Sequence, residues 1–530
     1  MSYKKNIYSK FENNSEFKLW FEIAKQGDAE AAYMLGMLFY RTGEQPDGIE
    51  AIKWFWKSAK HGYADAQYML GLNLANGFHI RHDMKEAMKW FHAAAAQGHV
   101  EAQFEIGLQY AYSKCVKQNL SEAAKWFQLA AEHGHKDAQF ELGRLYMFGD
   151  GVEKNLEEAV KYLRKAAEHG HAVAQFDLGG CYYTGGGVEK NITEARKWYR
   201  KAAKLGYADA QYNTGRFYEY GVGVKRNYPV ALKWFRKAAD YGHMLAQYEI
   251  GKFFGNGYGV RKDLKEAVKW YRLSAEQGYA PAQCDLGVCF YHGGGCKKDY
   301  AEAFKWFRKA AEQKYALAQL GLGFCYFNGK GIKQDYAEAF KWFHKAAEQG
   351  EANAQSELGS CYALGYGVKK DMPKAVEWWH QAAEQGDVEA QYNLGMCFFK
   401  GDCGKQDKKE AVKWLRKAAE QGYENAKNAL RELQALPSAG AEVRADVQKR
   451  AVHMMATFTW LFTFISLAGT VLNVRKNILC FYLWAVGNIA WLAFDVASGL
   501  FSRAVLDTVH LAFAIWGIFA WRKDETRPSK

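Results

Sequence analysis

Only six prolines occur in 530 residues, so few segments are barred from helix by a missing amide or a locked φ. No C-x-x-C pair is present, which removes the commonest signature of structural zinc. There is no G-x-x-x-x-G-K-[ST] loop for phosphate. The amino end, MSYKKNIYSKFENNSE, has no apolar core of the secretory kind, and the region behind it is expected to stay cytoplasmic. No nucleophile–base pair or metal triad stands out. Catalysis is therefore not expected, and neither is a cofactor or a metal.

What is present is repetition. The cleanest copy runs Tyr207-Ala-Asp-Ala-Gln-Tyr-Asn-Thr-Gly-Arg-Phe-Tyr218, a glycine loop, then Ala231-Leu-Lys-Trp-Phe-Arg-Lys-Ala-Ala-Asp-Tyr-Gly242. An anchor glycine recurs at Gly36, Gly71, Gly107, Gly143, Gly179, Gly215, Gly251, Gly287, Gly323, Gly359 and Gly395. After a first step of 35 residues every step is 36. A fixed period of this length means stacked helical units, each burying its apolar face only against its neighbours.

Within one copy, Ala138, Leu142, Gly143 and Tyr146 fall on one helical face. The loop glycines supply positive φ for a tight reversal. The second half, E-A-x-K-W-F-x-K-A-A-E-Q-G, is a strong helix former ending on a glycine cap. The net charge of +13 invites a nucleic-acid reading. However, Lys89, Lys125, Lys161, Lys197, Lys233 and Lys269 fill one slot of successive copies. They read as a solvated outer face, and no nucleic-acid partner is expected.

Cys181, Cys289, Cys325, Cys361 and Cys397 sit two residues after an anchor glycine. Neighbouring helices stand about 8–10 Å apart, beyond disulfide reach, so this column reads as small buried thiols. His133/His135 and His169/His171 flank helix-ending glycines and read as solvent-facing rather than metal-binding.

The motifs A-x-A-Q-x-x-L-G-x-x-Y and E-A-x-K-W-F-x-K-A-A, at this period, resemble the Sel-one-like repeat, a relative of the tetratricopeptide repeat. The resemblance implies an all-α, right-handed superhelical solenoid of about twelve αα-hairpins over residues 29–434, preceded by a capping helix within 1–28. It implies a scaffold that holds protein partners without chemistry of its own. It also implies a concave wall built from positions three before, one after, and four or five after each anchor glycine. On that wall Phe140, Phe176 and Tyr212 form an aromatic column, and Arg144, Arg216 and Lys252 a row of cations. Together they suggest a groove for an acidic or extended peptide. Ordinary packing between repeats remains the alternative for the rings.

The carboxyl-terminal part differs. After a linker, 435–453, three apolar runs at 454–473, 478–498 and 502–521 each approach the ~20 residues that span a bilayer as helix. A polar tail, 522–530, comes last. The expectation is a three-helix transmembrane domain, making the chain a multi-pass membrane protein, with a buried soluble hairpin as the alternative. Trp484, Asn488, Trp491 and Asp495 share one helix face, and Asp507 and His510 lie a turn apart. Polar groups within lipid face a helix interface or a wet cavity. Asn473-Val-Arg-Lys-Asn-Ile-Leu-Cys-Phe-Tyr-Leu-Trp484, with Gly487-Asn-Ile-Ala-Trp491, resembles small three-helix proteins classed with nicotinamide mononucleotide or riboside transporters. That resemblance implies a second reading: a homo-oligomeric transporter or binder of a nicotinamide-riboside-like molecule, regulated by the repeats.

Overall fold

The computed structural model describes residues 15–41 and 45–435. The stretch from residue 436 onward lies outside the described residues, and with it the three apolar runs and Trp484, Asn488, Trp491, Asp495, Asp507 and His510. Among the described residues there are 24 helices and no strand. None of these helices is long and apolar enough to cross a membrane. Twenty-two of them form eleven hairpins of an A-helix and a B-helix, from Ala29–Tyr40 with Gln45–Lys60 to Val388–Lys400 with Lys408–Glu420. Helix Ser15–Lys25 precedes the hairpins, and Glu424–Ala435, carrying Arg431 in the anchor slot, comes after them.

Local sequence fixes each end. From the second hairpin on, B-helices start at Asp or Asn caps. Asp83, for example, accepts from the Glu86 amide at 2.9 Å, and Asn119 from the Glu122 amide at 3.2 Å. Such a cap satisfies one of the amides that a helix start leaves unpaired. The anchor glycine permits the hairpin to close. A Cβ at Gly107 would stand 2.5 Å from the ring of Phe127, which is fully buried beneath it. Loops also interlock consecutive hairpins. Gly187, at φ +73°, lies so close over the start of the preceding B-helix that a Cβ would be 2.1 Å from the Leu156 carbonyl oxygen.

The described residues divide into two compact units that part between Ala238 and Ala239. In the first, the core is a column of alanines with Phe39, Phe55, Phe91, Phe127 and Leu163 at the hairpin centres. In the second, Phe307, Phe343 and Trp379 take that place, joined by Cys289, Cys325 and Cys361.

A glutamine ladder with buried acceptors runs through the second unit. Gln277, Gln313, Gln349, Gln385 and Gln421 each donate, at 2.7–2.9 Å, to the side-chain oxygen of the glutamine thirty residues earlier. In the first unit Gln97 does the same to Gln67 at 2.8 Å, and His169 takes the role towards Gln139. The side-chain oxygens of Gln103 and Gln175 are buried without a hydrogen bond. The slots thirty residues on hold His133 and Leu205.

Two expectations change. Cys397 is not a free thiol: it forms a disulfide with Cys403, at a Cα separation of 5.6 Å. The bond stays inside one hairpin, where the loop carries Cys403 in the place of a turn glycine, so the spacing between repeats is no obstacle. Cys181, Cys289, Cys325 and Cys361 are buried free thiols. His135 and His171 are not solvent-facing either. Each is half-buried and caps an A-helix, accepting from the amides of Ala138 and Ala174 at 3.1 and 3.0 Å. Burial lowers both imidazole pKa values.

Candidate functional site

Consecutive A-helices of the first unit touch through their side chains. The Tyr112 hydroxyl donates to the Glu141 carboxylate of the next repeat at 2.5 Å. Burial and that carboxylate together push the phenol up to about 12. Two repeats further on, a cavity of about 290 Å³ opens between helices Ala172–Thr184 and Ala208–Tyr220. Tyr183, Tyr212, Asn213, Arg216 and Tyr220 line it from the two A-helices, and Tyr199 from the intervening B-helix Ile192–Lys204. Rings form its walls, and one guanidinium and one amide supply directional polar contacts. This is the composition of a side-chain binding pocket.

Arg216 is held in place by its neighbours. It donates to the Tyr212 hydroxyl at 2.8 Å, lies 3.6 Å from Glu219, and stacks 4.6 Å from the Tyr220 ring centroid. Cation–π contacts of this kind are worth roughly 0.5–2 kcal/mol. Arg144 sits 3.7 Å from Glu141 and 5.8 Å from the Phe140 ring, with about two-fifths of its side chain exposed. Phe140 is buried and stacks on His171 at 4.4 Å. Phe176 meets Tyr199 and Tyr207 edge-on at 5.3 and 5.1 Å. Thus Tyr212 and Arg216 share the cavity, whereas Phe140 and Phe176 pack one repeat on the next. Lys252 belongs to the second unit. There it donates to Glu249 at 2.8 Å and lies 5.5 Å from the Tyr248 ring.

Sequence spacing alone does not single out the slot two before the anchor glycine, although its recurrence is visible. Glu105, Glu141 and Asp177 occupy it in three successive repeats, each partly buried. Burial raises the Glu105 carboxyl, and it raises Asp177 to about 6 despite the opposing pull of Arg144. Over the A-helices of anchors Gly107 to Gly215, the slots two before and one, four and five after hold Glu105, Glu141, Asp177 and Glu219 but only Arg144 and Arg216 as cations. The acids outnumber the bases. Five lysines of the outer column, Lys89, Lys125, Lys161, Lys197 and Lys269, each pair with a glutamate three residues earlier, at 2.6–2.9 Å, whereas Lys233 has Val230 in that place. Exposed pairs of this type contribute little to stability. Among the described residues no group of three or more His, Cys, Asp or Glu side chains is placed to hold a metal.

The profile of the Sel1 repeat matches eleven consecutive stretches, from 29–63 to 388–423. A crystal structure of a protective antigen present in uropathogenic Escherichia coli strains, displaying an SLR fold, is 30% identical, with 90% of this chain and 98% of that chain covered and a TM-score of 0.69. A Sel1 repeat protein from Oxalobacter formigenes is 34% identical, with 58% of this chain and 89% of that chain covered and a TM-score of 0.48. An immunity protein from Pseudomonas aeruginosa is 22% identical, with 40% and 81% covered and a TM-score of 0.27. No curated protein sequence matches significantly.

Proposed function

From the premise that this chain belongs to the Sel1 repeat family, we propose that it is a non-catalytic scaffold that captures protein partners on the A-helices of its first unit. The observation carrying this reading is the cavity between Ala172–Thr184 and Ala208–Tyr220, with Arg216 fixed between Tyr212 and Tyr220. A preorganised guanidinium between rings loses little freedom when a partner docks. A partner inserts a side chain there and runs along the neighbouring A-helices.

The test is cross-linked capture from native membranes with the full-length chain and its Arg216→Glu variant. The reading expects a defined protein set that the substitution depletes about tenfold, the scale of one interface hot spot. Unchanged capture removes Arg216 from the site.

A membrane tether formed by the apolar runs at 454–473, 478–498 and 502–521 belongs to the same scaffold. The side on which the repeats lie is open to test: the expectation places them in the cytosol, while a disulfide such as Cys397–Cys403 persists where thiols are not kept reduced. Cys115 is an exposed free thiol and reports the side directly. A membrane-impermeant maleimide should label it in intact cells. Labelling only after lysis would return the repeats to the cytosol.

A further inference from the structure

One B-helix breaks the charge pattern of its siblings. In the eight others from Leu120–Glu132 to Lys408–Glu420, one row of side chains at steps of four runs apolar, then polar, then acidic. Val160, Leu232 and Val268 fill the first place and are buried. The acid of the last place lies beside the middle residue in several copies: Arg308 with Glu312 at 2.8 Å, His344 with Glu348 at 3.5 Å, His380 with Glu384 at 3.4 Å. In Ile192–Lys204 the row reads Arg196, Arg200, Lys204. A cation stands in the apolar place and another in the acidic one.

This helix has five bases and one acid, and that acid, Glu194, is taken by Lys197 at 2.6 Å. Among the described residues no carboxylate pairs with Arg196, Arg200 or Lys204. The Nε of Arg196 is buried without a hydrogen bond, and Arg200 and Lys204 are exposed. Side chains four apart on a helix stand about 5–6 Å from one another, and like charges at that spacing are destabilising. Lys201 adds a fourth charge beside them, its ammonium 3.8 Å over the Trp198 ring. A solvated face does not call for such a row, since the sibling helices expose their bases with an acid beside them.

The row suits an anion, and its chemistry narrows which. Guanidinium forks match phosphate oxygens bidentately, as a lysine ammonium does not. At the end of the row, four residues after Lys201, Leu205 is 56% exposed. An aliphatic tip beside a line of cations fits a bilayer surface, with the charges among headgroups and the apolar side chain against the acyl boundary.

We propose that helix Ile192–Lys204 is a docking face for anionic phospholipid headgroups. Arg196, Arg200, Lys201 and Lys204 meet the phosphates, and Leu205 meets the acyl boundary. The inference rests on the membrane tether proposed above, which keeps the repeats beside a bilayer. It lays this B-helix of the first unit on the membrane and leaves the A-helices to protein partners.

The test holds the full-length chain in phosphatidylcholine nanodiscs and floats it with separate vesicles of phosphatidylcholine or of phosphatidylglycerol. The phosphatidylglycerol vesicles should bind, the phosphatidylcholine vesicles should not, and added salt should release the bound chain. Combining Arg196→Val with Lys204→Glu returns the row to the residues its siblings carry. Each Lys or Arg near an anionic surface is worth about fivefold in affinity, so this change of three charges should weaken binding about a hundredfold. The variant regains an acid four residues after Arg200 and should melt no lower than the wild type. Should it melt lower, Arg200→Gln on an exposed side chain reads the same site, with an expected loss of about fivefold.

Equal binding of the two vesicle types, or full binding by the variants, overturns the proposal. Tight binding of a Glu-rich peptide without preference for phosphatidylglycerol vesicles would reassign the row to an acidic protein partner. A chain that stays in solution without nanodiscs or detergent defeats the tether, and the vesicle comparison then judges the row by itself.

Discussion

The two units are written in the same repeat and use it differently. In the first, the slot four or five after the anchor glycine holds open rings, Tyr112, Phe148, Tyr183 and Tyr220. In the second, aromatics at these slots are drawn into the packing. Tyr291 is buried and meets Tyr300 at 5.1 Å, and Phe327 is flanked by Tyr336 and Tyr366 at 5.0 and 5.3 Å. The glutamine ladder is denser in the second unit, where five glutamine pairs form in succession, whereas the first has Gln97–Gln67 and His169–Gln139 and leaves the Gln103 and Gln175 side-chain oxygens without a hydrogen bond.

The largest effect that separates these roles is a pair of truncations in one hairpin. Phe127→Ala removes a fully buried ring and should cost about 3–5 kcal/mol. Tyr112→Ala removes an exposed one and should stay near ±0.5 kcal/mol apart from its single bond to Glu141. Chemical denaturation of the full-length chain measures both. Comparable losses would mean that the open rings are structural.

The next effect repairs the ladder. Leu205→Gln offers the buried Gln175 oxygen a donor at the slot that supplies one throughout the second unit. It should stabilise the first unit by about 1 kcal/mol, the net value of a typical protein hydrogen bond. Leu205 is 56% exposed, so the change buries no new polar group. Thermal melting would show the gain, and a loss would mean that the two units differ in backbone as well as in side chains.

Much of this architecture is legible in the sequence. The anchor glycines give the period, and the Asp and Asn caps with the loop glycines give hairpin ends, because all of these act within a few residues. The ladder is less visible, since it depends on residues thirty apart facing each other, and only the stacked repeat reveals that Leu205 answers Gln175. Of the expected groove residues, Tyr212 and Arg216 meet in a cavity. Phe140 and Phe176 turn into the seams because their rings find His171, Tyr199 and Tyr207 there. The Cys397–Cys403 bond escapes a reading by columns because it runs within a hairpin rather than between repeats.

A smaller effect tests the acids of the first unit. Asp177 titrates at about 6 because burial opposes its charge, with Arg144 pulling the other way and Cys181, Tyr199 and Tyr207 close enough to feel it. Its carboxyl binds a proton more tightly folded than unfolded. Its contribution therefore lowers stability as pH rises from about 4 to about 6, and Asp177→Asn should flatten that slope. An unchanged profile in the Asn variant would assign the effect to another group.

The most direct measurement of the central claim places a photo-cross-linking residue at Tyr220 in the first unit and, in a second protein, at Leu364, the same slot of the second unit. Adducts to partner proteins should form from position 220 and be sparse from 364. Equal yields from both, or adducts from 364 alone, would contradict the assignment of partner capture to the first unit.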